Sequence, residues 1–329
     1  VVSRESGKTE PLYAGIQLPP DLMHHENPYD DFAVQPLLPA RLSNLGPPLA
    51  VADVNRDGLE DFYLGAAIGT PGKLMIQSEG GSFTAGTIQH LKQDVMMEDS
   101  DALFIDVDSD GDEDLLVLSG GVAYPEGSKG YSDRYYQNDG TGQLRSIPDF
   151  ALGTTPQSGG VITSADVDHD GDLDIYAVNA DGSNVLLNNN RDGTWRQVGS
   201  EEGLPSGDHG SRQIVVADLD NDRDLDLVII NETAPNEIYL NDRLWRYQRA
   251  SGFQAFESMP LKAAIAGDVD SDGQVELISF SRDREVHVWH KENDWRPRLI
   301  RSFASESDSE FEGQSLLTLL DVDGSGSKT

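Results

Sequence analysis

A nine-residue acidic loop recurs along this chain, and it limits what the chain can become more than any other feature. In Asp166-Val167-Asp168-His169-Asp170-Gly171-Asp172-Leu173-Asp174, side-chain oxygens stand at loop positions one, three, five and nine, and glycine stands at six. That spacing folds carboxylates inward around one hard cation. Ca²⁺ takes six to eight oxygen ligands at about 2.3–2.6 Å, so the loop suits it. Glycine at six supplies a turn with positive φ at little steric cost. Position seven is expected to offer its backbone carbonyl, which leaves its side chain free to vary.

Further copies share this register. Asp53, Asn55, Asp57, Leu59 and Asp61 form the first, and Asp106, Asp108, Asp110, Asp112 and Asp114 the second. Asp166, Asp168, Asp170, Asp172 and Asp174 are the third. Asp218, Asp220, Asp222, Asp224 and Asp226 form a fourth, with Arg223 in place of glycine. Asp268, Asp270, Asp272, Gln274 and Glu276 form a fifth, one methylene longer at position nine. Asp321, Asp323 and Ser325 begin a sixth, which has Thr329 at position nine and is expected to be weak. The expectation is about five calcium sites and one incomplete one.

The flanks of these loops decide the fold. A short apolar strand enters each loop, as in Leu103-Phe104-Ile105 or Ile214-Val215-Val216, and a continuous apolar run leaves it, as in Leu115–Leu118 or Leu227–Ile230. Runs of about four residues bounded by turns suit buried strands better than helices. A third strand follows (Arg134-Tyr135-Tyr136-Gln137, Val286-His287-Val288-Trp289), then a turn such as Asn138-Asp139-Gly140. A fourth strand is expected to carry Phe83, Leu144, Trp195, Trp245 or Trp295. Four antiparallel strands every 50 to 60 residues, roughly, describe the blade of a β-propeller. The chain is therefore expected to be all-β, with five complete blades and part of a sixth. An EF-hand or dockerin reading fails, because position twelve is Leu64, Val117, Ala177, Ile229 or Ser279 and the flanks are strands.

Residues 1–45 lack the repeat and are expected to be an irregular segment or part of a closing blade, with one short strand at Tyr13–Leu18; residues 46–329 form the propeller. The net charge of −34 excludes nucleic acid and anionic membrane as partners, and nearly half of the 58 acidic residues sit inside the six loops. There is no cysteine, so metal would do the stapling that disulfides do elsewhere. No apolar run reaches the length of a membrane span. Loops of this kind saturate where calcium is plentiful, so an extracellular or cell-surface setting is expected.

The repeated loop between strands, with the stretch Leu37-Leu38-Pro39 to Gly65 and an echo of a Gly-Ala signature in Leu64-Gly65-Ala66-Ala67, resembles FG-GAP/VCBS repeats. Such repeats build the propellers of integrin α subunits and of cartilage-acidic-protein-like and bacterial secreted proteins. The resemblance covers about 46–329. It implies a propeller, usually seven-bladed, that is secreted and used for binding.

In an up-and-down blade the metal loops share one face with the third–fourth turns. The long connections 84–101, 119–133, 145–160 and 199–212 then fall on the other face. That second face, with Tyr124, Tyr131, Asp208, His209 and Arg212, is the expected binding surface for a protein or glycan. Other features weigh less. His24 and His25 are adjacent in an extended segment and should point apart. Asn231-Glu232-Thr233 fits a glycosylation acceptor. The three tryptophans are expected to be packing anchors. No Ser-His-Asp set, phosphate loop or HExxH occurs, so no catalytic residue is expected. The expected role is a binding or adhesion module. Alternatives are a self-assembling subunit of an extracellular fibre, and a polysaccharide-acting enzyme or its companion propeller.

Overall fold

The computed structural model describes residues 22–302, except 35, 37–42, 44–45, 90–93, 149, 151, 153–155, 180–183, 191–193, 200–202, 205–209, 234, 244 and 292–294. The expected strand at Tyr13–Leu18, the sixth motif (Asp321, Asp323, Ser325), and Asp208 and His209 therefore lie outside the described residues.

The described chain is a row of antiparallel sheets, each built in sequence order. Blade one comprises β1 (Leu49–Ala52), β2 (Asp61–Leu64), β3 (Lys73–Ser78) and β4 (Ser82–Ala85). A short β5 (Thr87–Gln89) precedes blade two, which has β6 (Asp99–Ile105), β7 (Asp114–Ser119), β8 (Arg134–Gln137) and β9 (Gln143–Ile147). Blade three has β10 (Gly159–Ala165), β11 (Asp174–Asn179), β12 (Val185–Asn189) and β13 (Trp195–Val198). Blade four has β14 (Ser211–Ala217), β15 (Asp226–Asn231), β16 (Glu237–Asn241) and β17 (Tyr247–Arg249). Blade five has β18 (Leu261–Gly267), β19 (Glu276–Ser281), β20 (Glu285–Lys291) and β21 (Trp295–Ser302). Helix among the described residues is limited to α1 (Asp31–Val34), α2 (Gln254–Ser258), the 3-10 turn Lys129–Tyr131 and 3-10 backbone at Leu22.

The blades stack as a propeller requires. The second strands β7, β11 and β15 are buried at every residue, so a sheet lies against both of their faces. Four apolar cores fill the seams between successive blades. Tyr63 and Leu74 of blade one meet Leu115 and Tyr136 of blade two. Leu116 and Tyr135 meet Ile175 and Leu187 at the next seam, and Val178 and Leu186 meet Leu227 and Tyr239 at the third. Val228 and Ile238 meet Leu277 and Trp289 at the fourth. The first strands of successive blades, β1, β6, β10, β14 and β18, contact one another in turn, which makes them the innermost strands. The architecture is a β-propeller with five complete blades among the described residues.

Polar side chains also lock the inner strands together. Asp101 on β6 accepts a hydrogen bond from the Ile162 N–H of β10 at 2.9 Å. At the matching place on β14, the Gln213 amide donates to Ala264 C=O and accepts from Ala264 N–H, both at 2.9 Å. Each of these residues follows a bulge at the strand start, between Asp99 and Asp101 and between Ser211 and Gln213. The bulge re-aims one side chain toward the next blade.

Two expectations need correction. Trp245 is not on the fourth strand of blade four, which begins at Tyr247; it sits in the preceding turn with φ of 72°. Blade two also gains a fifth strand, since β5 pairs in parallel with β9. The segment 22–34 ties onto blade two, where Asn27 donates to Glu98 at 2.7 Å and the Tyr29 hydroxyl to Val122 C=O at 3.3 Å.

Candidate metal centres

The loop backbone is built by its own carboxylates. At position one, Oδ1 accepts from the N–H of position five and Oδ2 from the N–H of position six. In the loop from Asp106 these distances are 3.1 and 2.9 Å, and in the loop from Asp218 they are 3.1 and 3.0 Å. Position five accepts from the N–H of position seven, as in Asp110 to Asp112 at 2.9 Å. The same bonds recur in the loops from Asp53, Asp166 and Asp268. Carboxylates that accept these bonds become fixed acceptors before any ion arrives.

Two residues per loop pay for this turn with positive φ. Position six carries it at Gly58, Gly111, Gly171 and Gly273, as expected, and Arg223 takes the same conformation at φ of 80°. Position four carries it too, at Arg56, Ser109, His169, Asn221 and Ser271, with φ between 59° and 65°. For a residue with a Cβ this costs about 1–2 kcal/mol. Arg223→Gly is therefore expected to stabilise the protein by about 1 kcal/mol, read as a shift in denaturant midpoint at constant slope. An unchanged or lowered midpoint would mean that Arg223 makes compensating contacts.

Position nine is the strut. Asp61, Asp114, Asp174 and Asp226 are fully buried at the start of each second strand. Asp114 accepts from Val107 N–H at 3.1 Å, Asn138 N–H at 2.7 Å and the Tyr135 hydroxyl at 2.9 Å. It thereby joins the loop to the third strand. Asp61, Asp174 and Asp226 make the equivalent pair of backbone bonds.

These oxygens converge. One oxygen each from Asp106, Asp108 and Asp114 lies within 4.8 Å of the others; so do those of Asp166, Asp168 and Asp174, and of Asp218, Asp220 and Asp226. Asp268, Asp270 and Asp272 form a fourth such set, and Asp270, Glu276 and His290 a mixed one. In the first loop, position three is the amide Asn55, which donates to Asp57 at 3.1 Å. The arrangement suits a divalent cation. Oδ1 of Asp108 and of Asp168 is buried and accepts no hydrogen bond, an expensive state for a carboxylate oxygen unless a cation meets it. The clusters can hold metal ions.

Burial, and then the neighbouring acids, push the strut carboxyls upward: Asp114 and Asp226 to about 7 and Asp174 to about 6. An unfolded aspartate titrates near about 4. A raised folded value favours the folded state at low pH, and that contribution is lost as pH rises through about 6–7. The metal-stripped protein is thus expected to melt higher at pH 5 than at pH 8. With calcium saturating, protons compete with the ions, and the order should reverse. Melts of stripped and loaded protein at both pH values test this; the same order in both forms would contradict it.

The loops are also seams. Position seven was expected to vary freely, yet Asp112, Asp172 and Asp224 are buried. Arg56 at position four of loop one pairs with Asp112 of loop two. His169 of loop three stands 3.5 Å from Asp224 of loop four. Each link joins position four of one loop to position seven of the next. The third–fourth turns reach backward: Asn138 donates to Val54 C=O of blade one at 2.8 Å, and the Trp245 indole N–H to Asp168 of blade three at 3.1 Å. Sequence reasoning missed these links. Only the alternation of charge between positions four and seven hinted at them.

Elsewhere the expected sites fare differently. Tyr131 is buried, and its hydroxyl donates to Tyr124 C=O at 2.7 Å, so it packs the second face rather than lining it. Arg212 pairs with Glu232, which also takes Arg282 at 2.6 Å. Asn231 of the glycosylation pattern is buried and donates to Pro235 C=O at 2.7 Å. His24 meets Glu26 at 2.9 Å while His25 is exposed. Trp245 and Trp295 are core residues, and Trp195 packs against the core of the second seam.

The FG-GAP-like repeat family matches residues 106–177 and 166–229, spans that run from one acidic loop through the next. These are FG-GAP-like repeats. Cartilage acidic protein 1 of Xenopus tropicalis is 26% identical over 168 residues, which make up 45% of this chain and 26% of that protein. The chain thus spans about a quarter of that relative's length. Among solved structures, the V. cholerae biofilm matrix protein Bap1 is similar at 16% identity over 78% of this chain and 39% of that one, with a TM-score of 0.42. The periplasmic gluconolactonase PpgL of Pseudomonas aeruginosa is similar at 15% identity over 78% of this chain and 72% of that one, with a TM-score of 0.44. No helix among the described residues is long and apolar enough to cross a membrane.

Proposed function

We propose that this FG-GAP-repeat propeller is an extracellular, calcium-stabilised binding module for a protein or glycan, and that it performs no chemistry of its own. The observation that carries the reading is the convergence of carboxylates at positions one, three and nine in successive loops, with position-three oxygens buried and unbonded in loops two and three. All-oxygen sets of this kind prefer hard cations, and calcium is the one plentiful outside cells. In this reading Asp106, Asp108, Asp110 and Asp114, and their counterparts in loops one, three and four, hold the ion together with the position-seven carbonyl. The ion supplies positive charge and rigidity. The chain's own residues fix the loop, join it to the third strand and link it to the next blade.

With one face committed to metal, the irregular connections of the opposite face remain for a partner. Cartilage acidic protein 1 and a biofilm matrix protein carry names that fit an extracellular setting. The test is to present calcium-loaded chain to panels of glycans and extracellular matrix proteins, with and without chelator, and to assay sugar-end release in the same samples. Saturable, calcium-dependent binding without release is expected. Release proportional to protein would replace this reading with an enzyme, and no binding to any panel member would remove the binding role.

A further inference from the structure

Loop five is built differently from its relatives. In loops two, three and four the converging set is positions one, three and nine. In loop five Glu276 at position nine instead gathers with Asp270 and His290, while Asp268 and Asp272 gather with Asp270 apart from it. His290 lies on β20, just before the residue whose counterparts in the other blades, Asn138, Asn189 and Asn241, donate their backbone N–H to the strut. In blades two and three the residue at the place of His290 aims at position three: Gln137 donates to Asp108 at 2.5 Å and Asn188 to Asp168 at 2.9 Å. Blades one and four place the apolar Ile76 and Leu240 there, against the seam cores, so a polar side chain reaches the loop from this place in blades two and three, and blade five brings an imidazole to Asp270 and Glu276.

The spacing suits a shared ion better than a hydrogen bond. His290 Nδ1 stands 3.7 Å from Glu276 Oε1, too long for a hydrogen bond. Two ligands about 2.1 Å from one ion at a tetrahedral angle lie about 3.4 Å apart. The group opens into a cleft of about 670 Å³ lined by Asp220, Asp272, Arg296 and Arg298 among others. The two arginines weaken the local negative field. They repel any divalent ion alike, so the choice between ions rests on the imidazole nitrogen.

We propose that loop five holds a divalent transition metal of the zinc class through Asp270, Glu276 and His290, with a further position open to the cleft. Imidazole beside carboxylate is the donor set that favours such ions over calcium. The site does not require calcium in the other loops.

Co²⁺ is the probe, added to the chain in saturating calcium. One Co²⁺ per chain is expected, with visible ligand-field bands. His290→Gln, which installs the side chain of blade two, should weaken Co²⁺ binding about tenfold or more. A His24→Gln/His25→Gln variant should leave it unchanged. Absent bands in the wild type, or bands and affinity unaltered by His290→Gln, would overturn the site. X-ray absorption of zinc-loaded wild type gives a reading that needs no variant: imidazole scattering supports the assignment, and an all-oxygen shell contradicts it. Calcium bound by the same preparation, counted by dialysis, reports separately on the other loops.

Discussion

Stripping calcium with excess chelator should lower the melting temperature of this protein by more than about 10 °C. An ion that binds only the folded state adds about 2.7 kcal/mol at one hundred times its Kd. For a chain of 329 residues 1 kcal/mol is worth about 1.5 °C, so three or four occupied loops exceed that shift. The structural reason is repulsion. Loop three brings Asp166, Asp168 and Asp174 within 4.8 Å of one another, and burial with Asp170 beside it pushes the Asp172 carboxyl upward. Without a cation this charge is stored against the fold. Because loops one and three also touch the next blade, through Arg56 to Asp112 and Trp245 to Asp168, the loss reaches those seams. Melts in calcium and in chelator decide the matter, and coincident curves would remove metal from the account.

The second large effect belongs to the strut. Asp114→Ala should destabilise the calcium-loaded protein by about 3–5 kcal/mol, because three donors lose their acceptor inside the seam. These are Val107 N–H, Asn138 N–H and the Tyr135 hydroxyl. The exposed Asp139, in the neighbouring turn, is the control, and Asp139→Ala should cost under about 1 kcal/mol. Chemical denaturation of both variants measures this. Equal costs would mean that the loop, and not the strut, carries the stability.

The blade was legible because its signals are local. Asp at one, three, five and nine with glycine at six names its own turn, and apolar runs such as Leu115–Leu118 name a strand buried on both faces. Arg223 stands in a glycine's place in the sequence, and its backbone takes the glycine-type conformation at φ of 80°. What stayed hidden depends on neighbours. The positive φ at Arg56, Ser109 and His169 has no residue-type signal, since the loop's hydrogen bonds impose it. The parallel pairing of Thr87–Gln89 with Gln143–Arg145 joins segments more than fifty residues apart. Trp245 reads as a strand residue by spacing, yet the turn bends it back to Asp168. His290 looks like one more residue of an alternating strand until the fold sets it beside Asp270 and Glu276.

The claim beneath all of this is that the acidic loops are ion sites joined to the blade seams. Equilibrium dialysis against labelled calcium measures it most directly. About four ions per chain, one in each of loops one to four, are expected near millimolar calcium, one fewer in Asp108→Ala and one fewer in Asp168→Ala. Less than one ion per folded wild-type chain, or counts that ignore both substitutions, would contradict the account.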